Sequence, residues 1–337
     1  MLEPRSLRRV SRGAFWVALA LPYLGRAPAL SGASWGVPEG GTVQAVPNPG
    51  KRVRIAFLAF QNNPFWRPVT DGAQAAKAYL SGHGAQVDYV DLGDKLAAEA
   101  VVAGIESALA QHYDGIVVAP IFDGTARIIN EAVEEGVPVL NIIAEGATPS
   151  KRLAFVGQDA LAAGAEIGRF IGERMRGTGT LGVVTGYFGA SQHNQRLTGA
   201  LDYLKAQHPT IKVVGPFENR DKAELAYSIV ENMVSANPDL KMVYVTAGGP
   251  FGAAKAVRDL GLTGKIGVVG FDHTPDNMQY LQMGEMAALL DQAPFQQAFD
   301  ATVLLYNYLV AGRRPPSEII RVRGTLITKP PGPGTPP

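Results

Sequence analysis

The chain has 337 residues, 46% of them hydrophobic and 18% charged, with a formal net charge of +1. That make-up belongs to a folded globular protein of about two domains and excludes a disordered or fibrous chain. The absence of cysteine excludes disulfide frameworks, thiolate metal and iron–sulfur sites, a cysteine nucleophile and a lipidated cysteine anchor.

Residues 1–29 read as a signal peptide. Arg5, Arg8, Arg9 and Arg12 form a basic start, Ala14 to Leu24 is an apolar run too short for a bilayer, and Ala27-Pro28-Ala29 presents small residues to a signal peptidase. Cleavage is expected after Ala29. A retained membrane anchor is the competing reading, opposed by Pro22 and Arg26, which interrupt a longer span. Arg8-Arg9 also raises twin-arginine export, although the residues after the pair fit that pattern poorly. Removing the segment takes the charge count from 31 basic and 30 acidic residues to 26 and 29, a net of −3. No basic run longer than the pairs Lys51-Arg52, Lys151-Arg152 and Arg313-Arg314 remains, so a nucleic-acid partner is disfavoured: phosphate contacts require clustered positive charge. Residues 30–51, rich in Gly, Pro, Ser and Ala, read as a flexible linker, and residues 330–337 as a disordered Pro-rich tail.

Between these ends, β-branched runs alternate with amphipathic stretches. Strands are predicted at Val53–Phe60, Gln86–Asp91, Gly115–Ala119 and Pro138–Ile143, with helices at Pro68–Ser81, Lys95–Gln111 and Asp123–Glu135. A second series runs strand Thr180–Thr185, helix Gln192–Gln207, strand Lys212–Phe217, helix Lys222–Ala236, strand Met242–Thr246, helix Gly252–Leu260 and strand Ile266–Phe271. Strand-then-helix repetition implies parallel sheets with right-handed crossovers, and each series is long enough for its own core. The expected class is therefore α/β, with two doubly wound, Rossmann-like parallel-sheet lobes. The segments after Met286, namely Met286–Gln292, helix Phe295–Gly312 and strand Ile319–Thr328, are too few for a third domain and must join sheets already built.

Ligands of doubly wound sheets sit at the carboxyl ends of the strands. The first such loop, Gln61-Asn62-Asn63-Pro64-Phe65-Trp66-Arg67, combines amides with two adjacent aromatics. Aromatic faces cover the C–H face of a sugar ring while amides bond its hydroxyls; the plainer role for Phe65 and Trp66 is to staple the helix to the sheet.

Asn62-Asn63-Pro64-Phe65-Trp66 after the first strand and Val268-Val269-Gly270-Phe271-Asp272 late in the chain resemble the ribose-binding proteins of the type I periplasmic binding protein family. Asp71-Gly72-Ala73, the Ser191 to Gly199 turn, Asn237-Pro238-Asp239 and Leu326-Ile327-Thr328-Lys329 follow in the family's order, so the resemblance spans roughly Lys51 to Lys329. It implies two lobes joined by a three-crossing hinge, near Gly157–Asp159, Gln292–Ala293 and Val322–Arg323, with a ligand closed between them and a late helix returning to the first lobe. On that basis residues 52–157 plus 293–322 form the N-terminal lobe and 158–292 plus 323–329 the C-terminal lobe.

Carried over residue by residue, the resemblance places Asn63, Phe65 and Trp66 on the first-lobe side of the cleft and Asp272 and Gln292 on the other. The plainer role for Asp272 is to cap the helix after Thr274. Departures are as informative. Ile143-Ala144 followed by Glu145 stands where sugar-binding members carry an Asp-Arg pair, Asn194 replaces the first arginine of the Ser191 turn while Arg196 is kept, and Ala247-Gly248-Gly249 replaces an Asn-Asp pair. Glu145 and Asn194 are expected to supply what is particular to this ligand, which is less polar than ribose, or a polyol or other small molecule held mainly by amides.

Enzymatic and metal chemistry finds little support. His83, His112, His193, His208 and His273 show no metal-binding spacing; His193 and His273 lie in expected cleft loops, where a histidine can donate to a ligand, but the favoured reading of each is a solvated turn residue. Ser191 lacks a nucleophile elbow, and no GxGxxG follows the first strand. No cofactor or metal is expected. The function expected is that of a monomeric exported solute-binding protein, periplasmic or extracellular, that delivers a small sugar- or polyol-like molecule to an ABC-type importer. A variant presents the ligand to a chemoreceptor or histidine kinase. A repressor effector domain like that of the lactose repressor would need an upstream helix-turn-helix where the export signal stands, and a nicotinamide-dependent enzyme would need the missing fingerprint.

Overall fold

The structure, a computed structural model, describes residues 36–61 and 63–328. The expected signal peptide, the first residues of the expected linker, Asn62, Lys329 and the expected tail lie outside the described residues. Among the described residues, no helix is long and apolar enough to cross a membrane.

Two six-stranded sheets carry the fold. The first runs, in spatial order, Ile319–Arg321, Ala154–Gly157, Val139–Ile142, Gly115–Val118, Val53–Ala59 and Ala85–Asp91, all parallel. The second runs Thr325–Thr328, Ala288–Asp291, Gly267–Phe271, Leu240–Val245, Gly179–Thr185 and Ile211–Glu218, parallel except for the antiparallel edge strand Thr325–Thr328. Burial on both faces explains the continuous apolar runs that mark the central strands. Along Leu240–Val245, for example, Val243 and Val245 join the core under helices Ala223–Ala236 and Pro250–Asp259. Met242 and Tyr244 face the opposite core, under helices Ala160–Met175 and Ser191–Gln207. This is the period-two alternation of a strand covered on both sides.

The chain passes between the sheets three times, after Gly157, after Asp291 and after Arg321. The late helix Pro294–Ala311 packs against helix Trp66–Ser81 of the first sheet, where a Cβ on Gly72 would collide with the Phe295 carbonyl.

Three expectations change. Strand Ala154–Gly157 and helix Ala160–Met175 fall in a stretch to which no element was assigned, because its strand is short and its helix rich in Gly and Ala. The single strand expected at Ile319–Thr328 is two strands, one in each sheet, separated by Val322–Gly324. The described part of the expected linker is pinned in place. Asp300 accepts from the backbone N–H of Thr42 (2.8 Å) and Val43 (3.0 Å) and from Thr42 Oγ1 (2.6 Å). Asn307 accepts from Val46 N–H (2.8 Å) and donates to Gln44 O (2.9 Å). Composition suggested a flexible segment, but two buried polar side chains of the last long helix needed partners, and this strap provides them.

Candidate functional site

The loops at the carboxyl ends of both sheets face one another across a cleft, as expected for ligand sites of doubly wound folds. From the first sheet, Asn63, Phe65 and Trp66 follow strand Val53–Ala59, Leu96 follows Ala85–Asp91, Ile121 follows Gly115–Val118 and Ile143 follows Val139–Ile142. From the second, Gln192, His193 and Arg196 rise from the helix after Gly179–Thr185, and Asp221, Ala247-Gly248, Asp272 and Gln292 follow the next four strands. Together they enclose about 400 Å³ of space not filled by atoms, part of it open to solvent.

Each functional side chain is held by local structure. Trp66 is 2% exposed and packs edge-on against Phe60 (5.6 Å between centroids) and Phe65 (5.3 Å), so it staples the helix and lines the cavity at once. Asn63 Oδ1 accepts from Phe65 N–H at 2.9 Å, ordering the turn before the helix. Arg196 stands on helix Ser191–Gln207, which meets helix Ala160–Met175 backbone to backbone: a Cβ on Gly164 would collide with the Arg196 carbonyl, and one on Gly199 with that of Leu161. Asp272 is not the helix cap, since Thr274 takes that position and accepts from Asn277 N–H at 3.4 Å. Three cavity residues hold left-handed backbone: Ile143 (φ 67°), Asp221 (φ 57°) and Asp272 (φ 78°). Such strain costs about 1–3 kcal/mol per residue and gathers at functional sites. At Ile143 it is held from both sides, the N–H donating to Gln297 Oε1 (3.0 Å) and the carbonyl accepting from Gln192 Nε2 (2.9 Å).

Charge in the cavity lies on the second-lobe side. Arg196, 1% exposed, places its guanidinium carbon 3.8 Å from the centroid of the Phe271 ring and donates from Nη1 to Thr246 O at 3.1 Å. Its Nε and Nη2 are buried without a protein partner among the described residues. Burial lowers the Arg196 pKa and the nearby Asp272 charge opposes that shift; the guanidinium stays cationic. Asp272, 7% exposed, accepts from Gln292 Nε2 at 2.5 Å. Burial pushes its pKa up to about 6, against the lowering effect of Arg196. Asp221 accepts from Gly248 N–H at 3.0 Å and is also raised by burial, to about 6. His193 is buried, not a solvated turn residue as the sequence suggested. Its Nδ1 accepts from Tyr187 N–H at 3.1 Å, and burial lowers its pKa to about 3, so the ring is neutral with its proton on Nε2.

Of the residues singled out from the sequence, Asn63, Phe65, Trp66, Asp272 and Gln292 converge on the cavity. Glu145 and Asn194 do not line it. Glu145 turns away to pair with Arg152 and accepts from Asn141 Nδ2 at 3.2 Å. Asn194 spends its amide on Phe188 O, 2.7 Å away in its own turn. Each found a nearby partner, which sequence spacing does not reveal. Gln192, Arg196 and Asp221 were missed as cavity residues, although Arg196 carried a signal as the retained arginine of its turn. His273 is exposed. Among the described residues no group of three or more potential metal ligands occurs.

A family model described as a periplasmic binding protein domain matches residues 55–313. The chain belongs to that family. This periplasmic binding protein is 27% identical over 283 residues to the D-ribose/D-allose-binding protein of Pseudomonas aeruginosa, covering 80% of this chain and 86% of that one. Among solved structures it resembles an ABC transporter solute-binding protein from Burkholderia graminis in complex with D-arabinose (TM-score 0.76, 26% identity, 83% of this chain and 96% of that one). It also resembles GanP, a glucose-galactose binding protein from Geobacillus stearothermophilus (TM-score 0.75, 26% identity, 82% and 98%). All three of these relatives are named as binding proteins.

Proposed function

We propose that the protein is an exported solute-binding protein that captures a sugar- or polyol-like molecule between its lobes and delivers it to an ABC-type importer. The observation that carries this reading is the pairing, across one cavity, of the Phe65 and Trp66 rings with the unpartnered Arg196 donors and the Asp272 carboxylate. Rings stack on C–H faces, while charge-assisted hydrogen bonds hold hydroxyls. Asn63, Phe65, Trp66, Asp272 and Gln292, joined by Gln192, His193, Arg196 and Asp221, form the proposed binding set. The P. aeruginosa and B. graminis relatives are named for pentoses and a hexose, which supports the carbohydrate class. A thermal-shift screen of sugars, polyols, nucleosides and amino acids tests it, because a ligand that binds the folded state alone raises the apparent melting temperature. Stabilisation by nucleosides or amino acids and by no carbohydrate overturns it.

Capture is proposed to proceed by hinge closure about the three passages between the sheets. Small-angle scattering at saturating ligand is expected to give a smaller radius of gyration; an unchanged radius contradicts closure. Export follows from the reading of residues 1–29, and N-terminal sequencing of secreted protein is expected to begin near Leu30.

A further inference from the structure

We infer that the ligand is polar along one edge only, with hydroxyls toward Arg196, Asp221 and Asp272 and a deoxy or alkyl edge toward Leu96, Ile121 and Ile143. The inference rests on the sugar or polyol reading and narrows it. The two walls of the cavity differ in kind. On the second-lobe side, Arg196 Nε and Nη2 are buried donors with no partner, and each carboxylate has one oxygen committed, Asp272 to Gln292 and Asp221 to the Gly248 N–H. The other oxygen of each makes no hydrogen bond among the described residues. Free donors beside free acceptors suit hydroxyls, which donate to a carboxylate while accepting from a guanidinium.

The first-lobe wall offers no such pairing. Leu96, Ile121 and Ile143 are buried and apolar; of the polar groups beside them, Asn63 Oδ1 already serves Phe65 N–H, and the Trp66 indole N–H is a buried donor without a partner among the described residues, which can serve a ring oxygen but offers a hydroxyl proton no acceptor. Among the described residues no carboxylate faces the cavity from this side. A hydroxyl pressed against the two isoleucines would lose water without gaining an acceptor, whereas a methyl or methylene would gain contact. Ile143 is also the residue that the backbone holds least willingly, a β-branched side chain at φ 67°. Its place at the cavity is therefore imposed by the surrounding bonds and not by local preference.

The test is calorimetry on the full chain with matched pairs that differ in one hydroxyl: L-rhamnose against L-mannose, L-fucose against L-galactose, and 5-deoxy-D-ribose against D-ribose. The deoxy member is expected to bind at least about tenfold more tightly in every pair that binds, one hydroxyl left unpaired being worth that factor. A fully hydroxylated member that binds as tightly as its deoxy partner, or more tightly, overturns the inference and leaves the sugar reading standing. Failure of all six to bind overturns the inference alone; the sugar or polyol reading falls only where the thermal-shift screen finds no carbohydrate or polyol that stabilises the fold. In a second arm, Ile143→Asn supplies an amide at that wall and suits the left-handed backbone better than isoleucine does. The preference for the deoxy member is expected to narrow at least about threefold. An unchanged ratio in a variant with native circular dichroism overturns the assignment of Ile143.

Discussion

Gln292 donates from Nε2 to Asp272 Oδ1 at 2.5 Å and accepts at Oε1 from Gln192 Nε2 at 3.2 Å. Gln192 in turn donates to the Ile143 carbonyl at 2.9 Å. One hydrogen-bonded chain thus runs from a second-lobe strand end, through the second passage between the sheets, to the first lobe. Gln292→Leu breaks both bonds and leaves the Asp272 carboxylate buried with fewer partners, which costs about 1–3 kcal/mol. The expected outcome is at least about tenfold weaker ligand binding by calorimetry together with a lower denaturation midpoint; a binding loss with an unchanged midpoint would deny Gln292 its structural part.

Asp272→Ala is expected to weaken binding at least about tenfold while the circular dichroism spectrum stays native, since charge-assisted hydrogen bonds contribute roughly 1.5–3 kcal/mol each. Its removal also leaves the fully buried Arg196 without the carboxylate that favours its charge. Arg196→Met, similar in length and uncharged, should therefore damage binding more than Arg196→Lys, which keeps the charge but loses the planar fork. Equal affinities for the two variants would show that charge at this position plays no part.

Binding should depend on pH in a stated direction. Burial raises the Asp272 and Asp221 carboxyls to about 6, and hydroxyls donate to the ionised form. Affinity is expected to be steady above pH 7 and to fall by about a factor of ten per ionised group required as pH drops from 7 to 5. Near pH 6 binding should release protons, so calorimetric enthalpies measured in phosphate and Bis-Tris, which both buffer there, should differ. For the ligand-free fold the sign is opposite: the stability these two groups contribute is full below the ordinary carboxylate value and is lost as pH rises through about 6.

His193 works the other way. Its pKa, lowered to about 3 by burial, means that the stability it contributes is present above pH 6.5 and is lost as pH falls toward 3. His193→Asn keeps an acceptor for Tyr187 N–H and removes the titrating ring. Between pH 7 and 4.5 the parent protein is expected to lose roughly 2–3 kcal/mol more stability than the variant, measured by urea denaturation at each pH. Parallel profiles would place the ring in contact with water.

What the sequence determined by itself is what short-range pattern encodes. Runs such as Val53–Ala59 and Gly115–Val118 are apolar over the length of a strand, and the alternation with amphipathic helices leaves a doubly wound pair of lobes as the consistent arrangement. Because such sheets put their ligands at strand ends, Phe65 and Trp66 were legible as neighbours of a strand terminus, whereas Asp272 and Gln292 were singled out by the family resemblance. The tertiary structure alone decided where polar side chains spend their hydrogen bonds. Glu145 stands in a loop after a strand as Asp272 does, and Asn194 in the first turn of helix Ser191–Gln207, yet Arg152 and Phe188 O claim them first. Arg196 and His193 are one helical turn apart on a helix whose sequence reads as polar, and they are buried where Arg196 lies over the Phe271 ring and His193 packs against Gly186 and accepts from Tyr187 N–H. The strap at 42–46 and the division of 319–328 between two sheets depend on partners hundreds of residues away or in the other lobe. Periodicity reports the face a residue presents, whereas competition among distant partners for a limited set of donors and acceptors is settled when the chain closes on itself.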